Sequence, residues 1–459
     1  MEETTKEKIS QIVQVQRAYF KSGATKDLKF RMEQLKKLQS AITKWEPQIY
    51  EALWQDLHKS EEEAYLTEVS IVTGEIRCHI KHLRHWARRK KLSSPLTLFP
   101  SRSYIVNEPL GNTLIVSPWN YPFQLLINPL VGCISAGCTA ILKTSPDSEK
   151  LTEVLRKMIN ETFEEKYIAL TCGGKYVNTS LFEQRFDLIF FTGSPMLGKV
   201  VMAAASKNLT PVILELGGKS PCIVDKDADI VKAARRIAWG KTLNCGQTCI
   251  APDYIFLNKD IKGKFIETFK KEIEHLYGAD TQQSAFYVRM VNDKAFERVA
   301  AYLKDGNIVA GGKYDSKERY IEPTLLDNVN EDSPVMQEEI FGPIFPILEF
   351  QNRSEVVDFI TEREKPLALY YFGNEKNGWD MIRKTSSGGA CINDTIMHIG
   401  NDRLPFGGVG NSGMGHYHGR ESFNAFSHQR SIVATPTWTD LPFRYMPYKF
   451  IHLMRLLLK

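Results

Sequence analysis

From residue 111 onward, short apolar runs alternate with stretches of helical period, and this alternation constrains the fold more than any other feature. Gly111-Asn-Thr-Leu-Ile-Val-Ser-Pro118 is the first run; Ala140-Ile-Leu-Lys143, Tyr167-Ile-Ala-Leu170 and Asp187-Leu-Ile-Phe-Phe-Thr-Gly193 follow it. Strands separated by helices predict an α/β chain built on a parallel sheet. Ligands bind such sheets at the carboxyl ends of the strands, which puts Trp119, Asn120, Lys143 and Gly193 on one rim. A second pattern of the same kind starts near residue 212. Pro211-Val-Ile-Leu-Glu-Leu-Gly-Gly218 reads as a strand and tight turn, Pro221-Cys-Ile-Val-Asp225 as a strand, and residues 227–238 as a helix. Further strands are expected at 321–326, 345–350 and 367–372. Residues 6 to about 91 read as helices, broken at Gly23, with Pro47 placed where a new helix could begin.

Two near-motifs are set aside. Gly193-Ser-Pro-Met-Leu-Gly198-Lys199 approaches a phosphate-binding loop, but Val200 follows where Ser or Thr must reach magnesium. A nucleoside triphosphatase is rejected; what remains is a strand–turn–helix able to hold a diphosphate at a helix N-terminus. His79, His82 and His85 lie close together on a helix, yet Lys81, Arg84, Arg88, Arg89, Lys90 and Lys91 around them would repel a cation. No metal is expected. The 459 residues leave room for two or three domains, at roughly 100–200 residues each. A net charge of +5 is small for that length, so nucleic acid is not an expected partner. The eight cysteines are spread thinly, the start is polar, and no run nears the roughly 18 apolar residues of a membrane span. A reducing, cytoplasmic location with free thiols is expected.

Chemistry concentrates in Gly240-Lys-Thr-Leu-Asn-Cys245-Gly-Gln-Thr-Cys249-Ile-Ala-Pro252. A thiol in a loop is reachable, and backbone amides there can stabilise its thiolate. Taken alone, the loop suits a nucleophile and a buried filler equally well. The glycine-rich stretch from Leu404 to Gly415 lets backbone or ligand approach closely. The tail from Met446 to Lys459 is apolar with scattered bases; packing on its own protein or on a partner subunit is preferred to contact with a membrane surface.

Trp119-Asn-Tyr-Pro-Phe123, Glu215-Leu-Gly-Gly-Lys219, Gly246-Gln-Thr-Cys249, Glu338-Glu-Ile-Phe-Gly-Pro343 and Leu404-Pro-Phe-Gly-Gly408 occur in this order. Together they resemble the aldehyde dehydrogenase superfamily. Cys249-Ile-Ala-Pro-Asp-Tyr254 and Gly413-Met-Gly-His-Tyr-His-Gly419 resemble its class 3 or fatty aldehyde dehydrogenase branch. The resemblance implies a Rossmann-like NAD(P)-binding domain (residues 1–92 and 108–212) and an α/β catalytic domain (213–421). It adds a small β bridging extension (93–107 and 422–436) and the tail (437–459). It implies a homodimer, NAD and/or NADP as cofactor, and an aldehyde as substrate. Cys249 then matches the nucleophile, Asn120 a donor to the alkoxide and Glu215 the general base. Lys143 matches the residue that binds the adenosine ribose, while Gly193 and Ser194 lie under the diphosphate and Gly198 allows close helix packing. Glu339 matches the position on the nicotinamide ribose and could share the base role; Trp119 and Phe341 complete the cofactor site. Tyr121, Phe406 and His418 are placed toward the substrate.

The reaction so implied is oxidation of an aldehyde to a carboxylic acid. A thiolate adds to the carbonyl, the resulting alkoxide gives up hydride, and water releases the acid from a thioester. The thiol needs a lowered pKa, which the loop amides and the positive nicotinamide are expected to supply. Medium- or long-chain aliphatic or aromatic aldehydes are suggested by the branch alone. Two other functions compete. An acylating dehydrogenase would pass the thioester to another acceptor, and Glu215 argues against it; a non-catalytic binding protein would not need Asn120, Glu215, Cys249 and Glu339 together. Three departures from the family pattern carry expectations. Pro146 stands where an acid usually favours a free ribose hydroxyl, so both NAD and NADP are expected to be accepted. Pro195 lacks an N–H that could donate to phosphate, which predicts weaker cofactor binding. Cys245 could trap an oxidised Cys249 as a disulfide, although a small filler is the preferred reading.

Overall fold

The computed structural model of the chain describes residues 3–440, 445–448 and 450–457. Helices Lys6–Lys21, Leu28–Leu57 and Ser70–Trp86 come first. Gly23 separates the first two at φ 79°, a conformation that costs a residue without Cβ little. Pro47 does not start a helix; it lies inside Leu28–Leu57. Its ring removes one intrahelical bond, a loss of about 3 kcal/mol. Leu35, Leu38, Ile42, Ile49, Leu53 and Leu57 are buried on either side of it, and at roughly 1.5–3 kcal/mol for each such side chain their packing outweighs the loss. Helix also stops sooner than expected, at Trp86, and Lys90–Leu92 (β1) pairs antiparallel with Arg102–Pro109 (β2).

Asn112–Val116 (β3), Thr139–Lys143 (β4), Ile168–Thr171 (β5) and Leu188–Thr192 (β6) are the four strands read from the alternation. β3, β4 and β6 are buried along their whole length, as strands of a parallel sheet covered on both faces must be. Val212–Glu215 (β7) pairs with β6 in this same sheet, not with the second unit to which the sequence assigned it. The reason is the position of the Gly217-Gly218 turn: the chain leaves the first sheet only after β7.

The second sheet gathers Pro221–Val224 (β8), Tyr254–Asn258 (β9), Asn307–Ala310 (β10), Thr324–Asp327 (β13), Ile344–Phe350 (β14), Ala368–Phe372 (β15) and Gly389–Ile392 (β16). The expected strand at 321–326 is divided. Tyr314–Asp315 (β11) and Tyr320–Ile321 (β12) form a separate ribbon, and β13 begins after Pro323, which has no N–H to give a ladder. Gly413–Met414 (β17) returns to the first sheet, whose order is β17-β7-β6-β3-β4-β5; that of the second is β10-β13-β14-β9-β8-β15-β16. Ser427–Ala434 (β18) pairs with β2 along its full length.

Register aligns the strand ends that matter. Val116 lies opposite Lys143 and Phe191, and Thr192 opposite Glu215. The carboxyl ends of β3, β4, β6 and β7 therefore share one rim, as expected. The strand order turns back between β3 and β6, where open α/β sheets take their ligands. Across from this rim, Asn244 and Cys245 at φ 52° and 55° turn the chain out of helix Ile230–Thr242 toward β9. Among the described tail residues, Met446, Tyr448, Phe450 and Leu456 are exposed, so the expected packing on the tail's own subunit is not found there. Residues 441–444, 449, 458 and 459 lie outside the described residues, among which no helix is long and apolar enough to cross a membrane.

Candidate active site

A cleft of about 1070 Å³ separates the two sheets. Trp119, Asn120, Gly193 and Ser194 reach it from the rim of the first sheet, and Glu215 from the end of β7. Cys249 faces them from the loop before β9, with Glu339 and Phe341 from the segment before β14. Lys143 ends β4 on the same rim but does not line the cleft. Tyr121, Gly198, Phe406 and His418 do not line it either.

Asn120 is buried, and its Nδ2 donates to the Gln247 carbonyl at 3.0 Å, leaving one N–H free. Its backbone carbonyl is held twice, by Asn244 Nδ2 at 2.9 Å and by Lys59 Nζ at 3.2 Å. Lys59 also binds Glu68 at 2.7 Å, and both side chains are fully buried. The second Glu68 oxygen accepts from the backbone N–H groups of Phe123 and Gln124 at 2.9 and 3.2 Å. Glu68 sits on a single π-helical turn, Tyr65–Val69, a distortion common at functional sites. Lys59 lies 4.3 Å from the centroid of the Tyr121 ring, and the Tyr121 hydroxyl meets Thr248 Oγ1 at 2.6 Å. Sequence reasoning missed Lys59 and Glu68, because no local spacing announces a pair whose role is to brace a loop far along the chain.

Glu215 is buried, neither carboxylate oxygen is hydrogen-bonded among the described residues, and burial pushes its pKa well up. Burial, and then the nearby Asp253, push Glu339 up to about 8; the Gly218 N–H, Lys219 and Lys241 pull the other way. A Cβ on Gly217 would stand 1.9 Å from Glu339 Oε2, so only glycine lets that carboxylate lie against the turn. The Cys249 thiol departs from expectation. The amides of Cys249 and Ile250 do favour its thiolate, but burial and the charges of Glu339 and Glu215 outweigh them, and its pKa is raised. Cys245 is the filler: its sulfur is buried against the Tyr287 hydroxyl at 3.6 Å and Met290 at 3.9 Å, and burial pushes its pKa up to about 12.

Ser194 caps helix Pro195–Ser206, its hydroxyl accepting from the Leu197 N–H at 3.4 Å. Pro195 opens this helix, where a missing N–H has no intrahelical partner to lose. A Cβ on Gly198 would lie 2.9 Å from Leu216, so this helix packs tightly behind β7. Lys143 is buried, donates to the Thr144 carbonyl at 2.5 Å, and is pushed down to about 8 by burial. Trp119 and Phe341 meet edge to face at 5.4 Å.

Phe406 stacks on His418 at 5.3 Å, and the buried His418 Nε2 has no partner. Tyr417, which the sequence reading passed over, is fully buried, and after burial the charges of Glu215 and Cys249 act on it most. It lies close enough to the site to feel those charges without lining the cleft. Of the histidines at 79, 82 and 85, His79 binds Glu75 at 3.0 Å and Ser135 at 2.5 Å, His82 stacks on Trp86, and His85 is exposed. Among the described residues no cluster could hold a metal ion.

Comparison with known proteins agrees with this geometry. The aldehyde dehydrogenase family model matches residues 1–432. The 4,4'-diaponeurosporen-aldehyde dehydrogenase of Staphylococcus aureus is 49% identical over 436 residues, 94% of this chain and 95% of that protein. The dimeric NADP-preferring aldehyde dehydrogenase of Canis lupus familiaris is 46% identical over 443 residues, 96% of this chain and 98% of that protein. A solved structure of Staphylococcus aureus AldH in its substrate-bound state superposes with a TM-score of 0.97 at 47% identity, covering 98% of this chain and 99% of that one. Nearly the whole chain is matched in sequence and in three dimensions, and it belongs to the aldehyde dehydrogenase family, oxidising aldehydes with a nicotinamide cofactor.

Proposed function

We propose that Cys249 adds to the aldehyde carbonyl while Asn120 Nδ2–H and the Cys249 backbone N–H hold the oxygen that becomes negative. The observation that carries this reading is Glu215, a buried carboxylate with no partner, sharing a cleft with the thiol and the amide. A carboxylate stripped of water and partners holds its proton tightly, so its anion is a strong base. It is suited to take the proton of a thiol whose own pKa is raised, and afterwards to take one from the water that attacks the thioester. Glu339 is placed to share the first transfer. Having a base for water favours hydrolysis over transfer of the acyl group to coenzyme A.

The residues present suit a nicotinamide dinucleotide. Gly193 and Ser194 present the open N-terminus of helix Pro195–Ser206 to a diphosphate, and the buried Lys143 ammonium has three donors and one protein acceptor. Glu339 would hold the nicotinamide ribose, with Trp119 and Phe341 beside the ring. When bound, the cofactor supplies the acceptor for the hydride that leaves the substrate carbon. Tyr121, Phe406 and His418, joined by Tyr417, would line the substrate side. Such rings would suit an apolar aldehyde. The same reading includes a homodimer formed through the β1-β2-β18 sheet, whose outer strand β18 has an edge paired with no strand among the described residues. It also includes a cytoplasmic location, supported by eight unpaired thiols.

Absorbance at 340 nm with NAD or NADP and a panel of aldehydes tests the assignment. The wild type should reduce cofactor only when aldehyde is present, fastest with apolar substrates, and Cys249→Ala should not. Turnover that survives in Cys249→Ala removes this thiol from the mechanism.

A further inference from the structure

The N-terminal segment brings a carboxylate to the cofactor rim. Thr4 is tied to the end of β5 on both sides: its N–H donates to the Cys172 carbonyl at 2.9 Å, and its hydroxyl accepts from the Cys172 N–H at 3.0 Å. Ion pairs Lys6–Glu183 at 2.7 Å and Lys8–Glu165 at 2.6 Å fix the helix that follows. Glu3 is thereby laid across Gly173 and Gly174, and its Oε1 accepts from the Gly174 N–H at 2.6 Å, at the start of helix Lys175–Phe182. The glycines make room: a Cβ on Gly173 would lie 3.0 Å from Glu3 Cγ, and one on Gly174 3.3 Å from Glu3 Oε1. The Glu3 charge acts directly on Lys143 and opposes the lowering of its pKa by burial.

Where Lys143 lies decides what this carboxylate meets. It is the last residue of β4, the strand after β3 in a Rossmann-like order. In such sheets the residue at that strand end reads the 2′ position of the adenosine ribose, and an acid there selects a free hydroxyl over a 2′-phosphate. Pro146 leaves the loop after β4 without that acid. Glu3 returns one to the neighbouring strand end. Lys143 and Arg156 supply positive charge in the same region, both acting on Cys172, so a phosphate is disfavoured rather than shut out.

We propose that Glu3 is the discriminating residue of the adenosine pocket, repelling a cofactor 2′-phosphate and tilting this enzyme toward NAD. It also occupies the helix N-terminus that such a phosphate would otherwise use. The proposal rests on the placement of the adenosine ribose beside Lys143. Because Glu3 is exposed, the expected discrimination is modest, roughly tenfold, and should fade with salt.

The test is direct binding by calorimetry, with ADP and adenosine 2′,5′-bisphosphate as probes, in wild type, Glu3→Gln and Lys143→Ala. Glu3→Gln should raise the affinity for the bisphosphate relative to ADP by roughly tenfold at low salt. In 1 M salt, wild type and variant should converge. The ratio of kcat/KM for NADP to that for NAD should move with the binding ratio. An unchanged binding ratio in Glu3→Gln, when Lys143→Ala does weaken both probes, overturns the role of Glu3 alone. If Lys143→Ala alters neither probe, the ribose placement itself is wrong and the proposal falls with it. Glutamine keeps an acceptor for the Gly174 N–H, so the variant preserves the fold of the segment.

Discussion

At the scale of single residues, Cys249 and Glu215 pose one proton problem between them. Burial pushes the pKa of both upward, and the charges of Glu339 and Glu215 push that of the thiol further. Ionising the thiol beside an ionised Glu215 is therefore unfavourable, and passing its proton to that carboxylate removes the conflict. The same carboxyl must lose a proton again before it can activate water. With Glu339 left to take the thiol proton, Glu215→Gln should complete the first half of the reaction and stop there. Rapid mixing should show a burst of reduced cofactor near one equivalent per site, followed by a steady rate lower by roughly 10²–10⁴. Mass spectrometry should find the acyl group on Cys249; free enzyme during turnover would mean that Glu215 is not the base for water. Asn120→Ala tests the oxyanion donor. The backbone carbonyl of Asn120, not its side chain, is what Lys59 and Asn244 hold. Its kcat should fall by roughly 10²–10³, with the Tm nearly unchanged. That these three residues meet in one cleft was legible in the sequence because each sits in a short motif. The direction of the thiol pKa was not. It depends on two carboxylates carried by strands and loops remote in sequence, whose charges no local pattern reveals.

At the scale of elements, the Asn120 loop is rigid because a π-helical turn and a buried ion pair brace it. Lys59 and Glu68 have no access to water, so removing one partner strands the other's charge. Lys59→Met should destabilise by about 3–5 kcal/mol, whereas neutralising both partners should recover much of that. The double variant Lys59→Met, Glu68→Gln, whose amide oxygen still accepts from the Phe123 and Gln124 N–H groups, separates stability from positioning. It should unfold near the wild-type temperature yet lose roughly tenfold in kcat, with KM little changed, as Asn120 gains freedom. Wild-type kcat in a folded double variant would make the pair structural only. The elements themselves were legible wherever local chemistry decides. β3 to β6 are continuous apolar runs, and the turn at Gly23 needs a residue tolerant of positive φ. Legibility failed where packing at long range decides. Pro47 stays helical because Ile42 and Ile49 on either side of it are buried in one core. β7 joins the first sheet because β6 is there to pair with it. Pro323 divides β12 from β13, and that break could have been read, since proline has no N–H for a ladder.

At the scale of the whole molecule, the site is maintained against a charge cost that should appear as a pH dependence of stability. Burial raises Glu63 from an ordinary value near 4.5 to about 7, against the pull of Lys59 and the Asn244 N–H. Glu339 is raised in the same way to about 8, and Glu215 rises with them. A carboxyl with a raised folded-state pKa holds a proton that the unfolded chain has already released. Its favourable contribution is complete below the unfolded value and is lost as pH rises through the folded one. Stability should therefore decline from about pH 5 to about pH 8. Glu75 works in the opposite sense. It is drawn down to about 2, its burial outweighed by His79, His418 and Ser422, so it withdraws support only as pH falls below the ordinary carboxyl range. The Tm by calorimetry should be lower at pH 8.5 than at pH 5.5 by roughly 3–6 °C. Glu63→Gln isolates one share of this. Glutamine keeps an acceptor for the Asn244 N–H, which Glu63 meets at 2.8 Å, but cannot ionise. The variant should match wild type at pH 5.5 and exceed it at pH 8.5. Equal slopes in the two proteins would show that Glu63 ionises as freely in the fold as in water, and the burial of charge around the Asn244 turn would not be limiting stability.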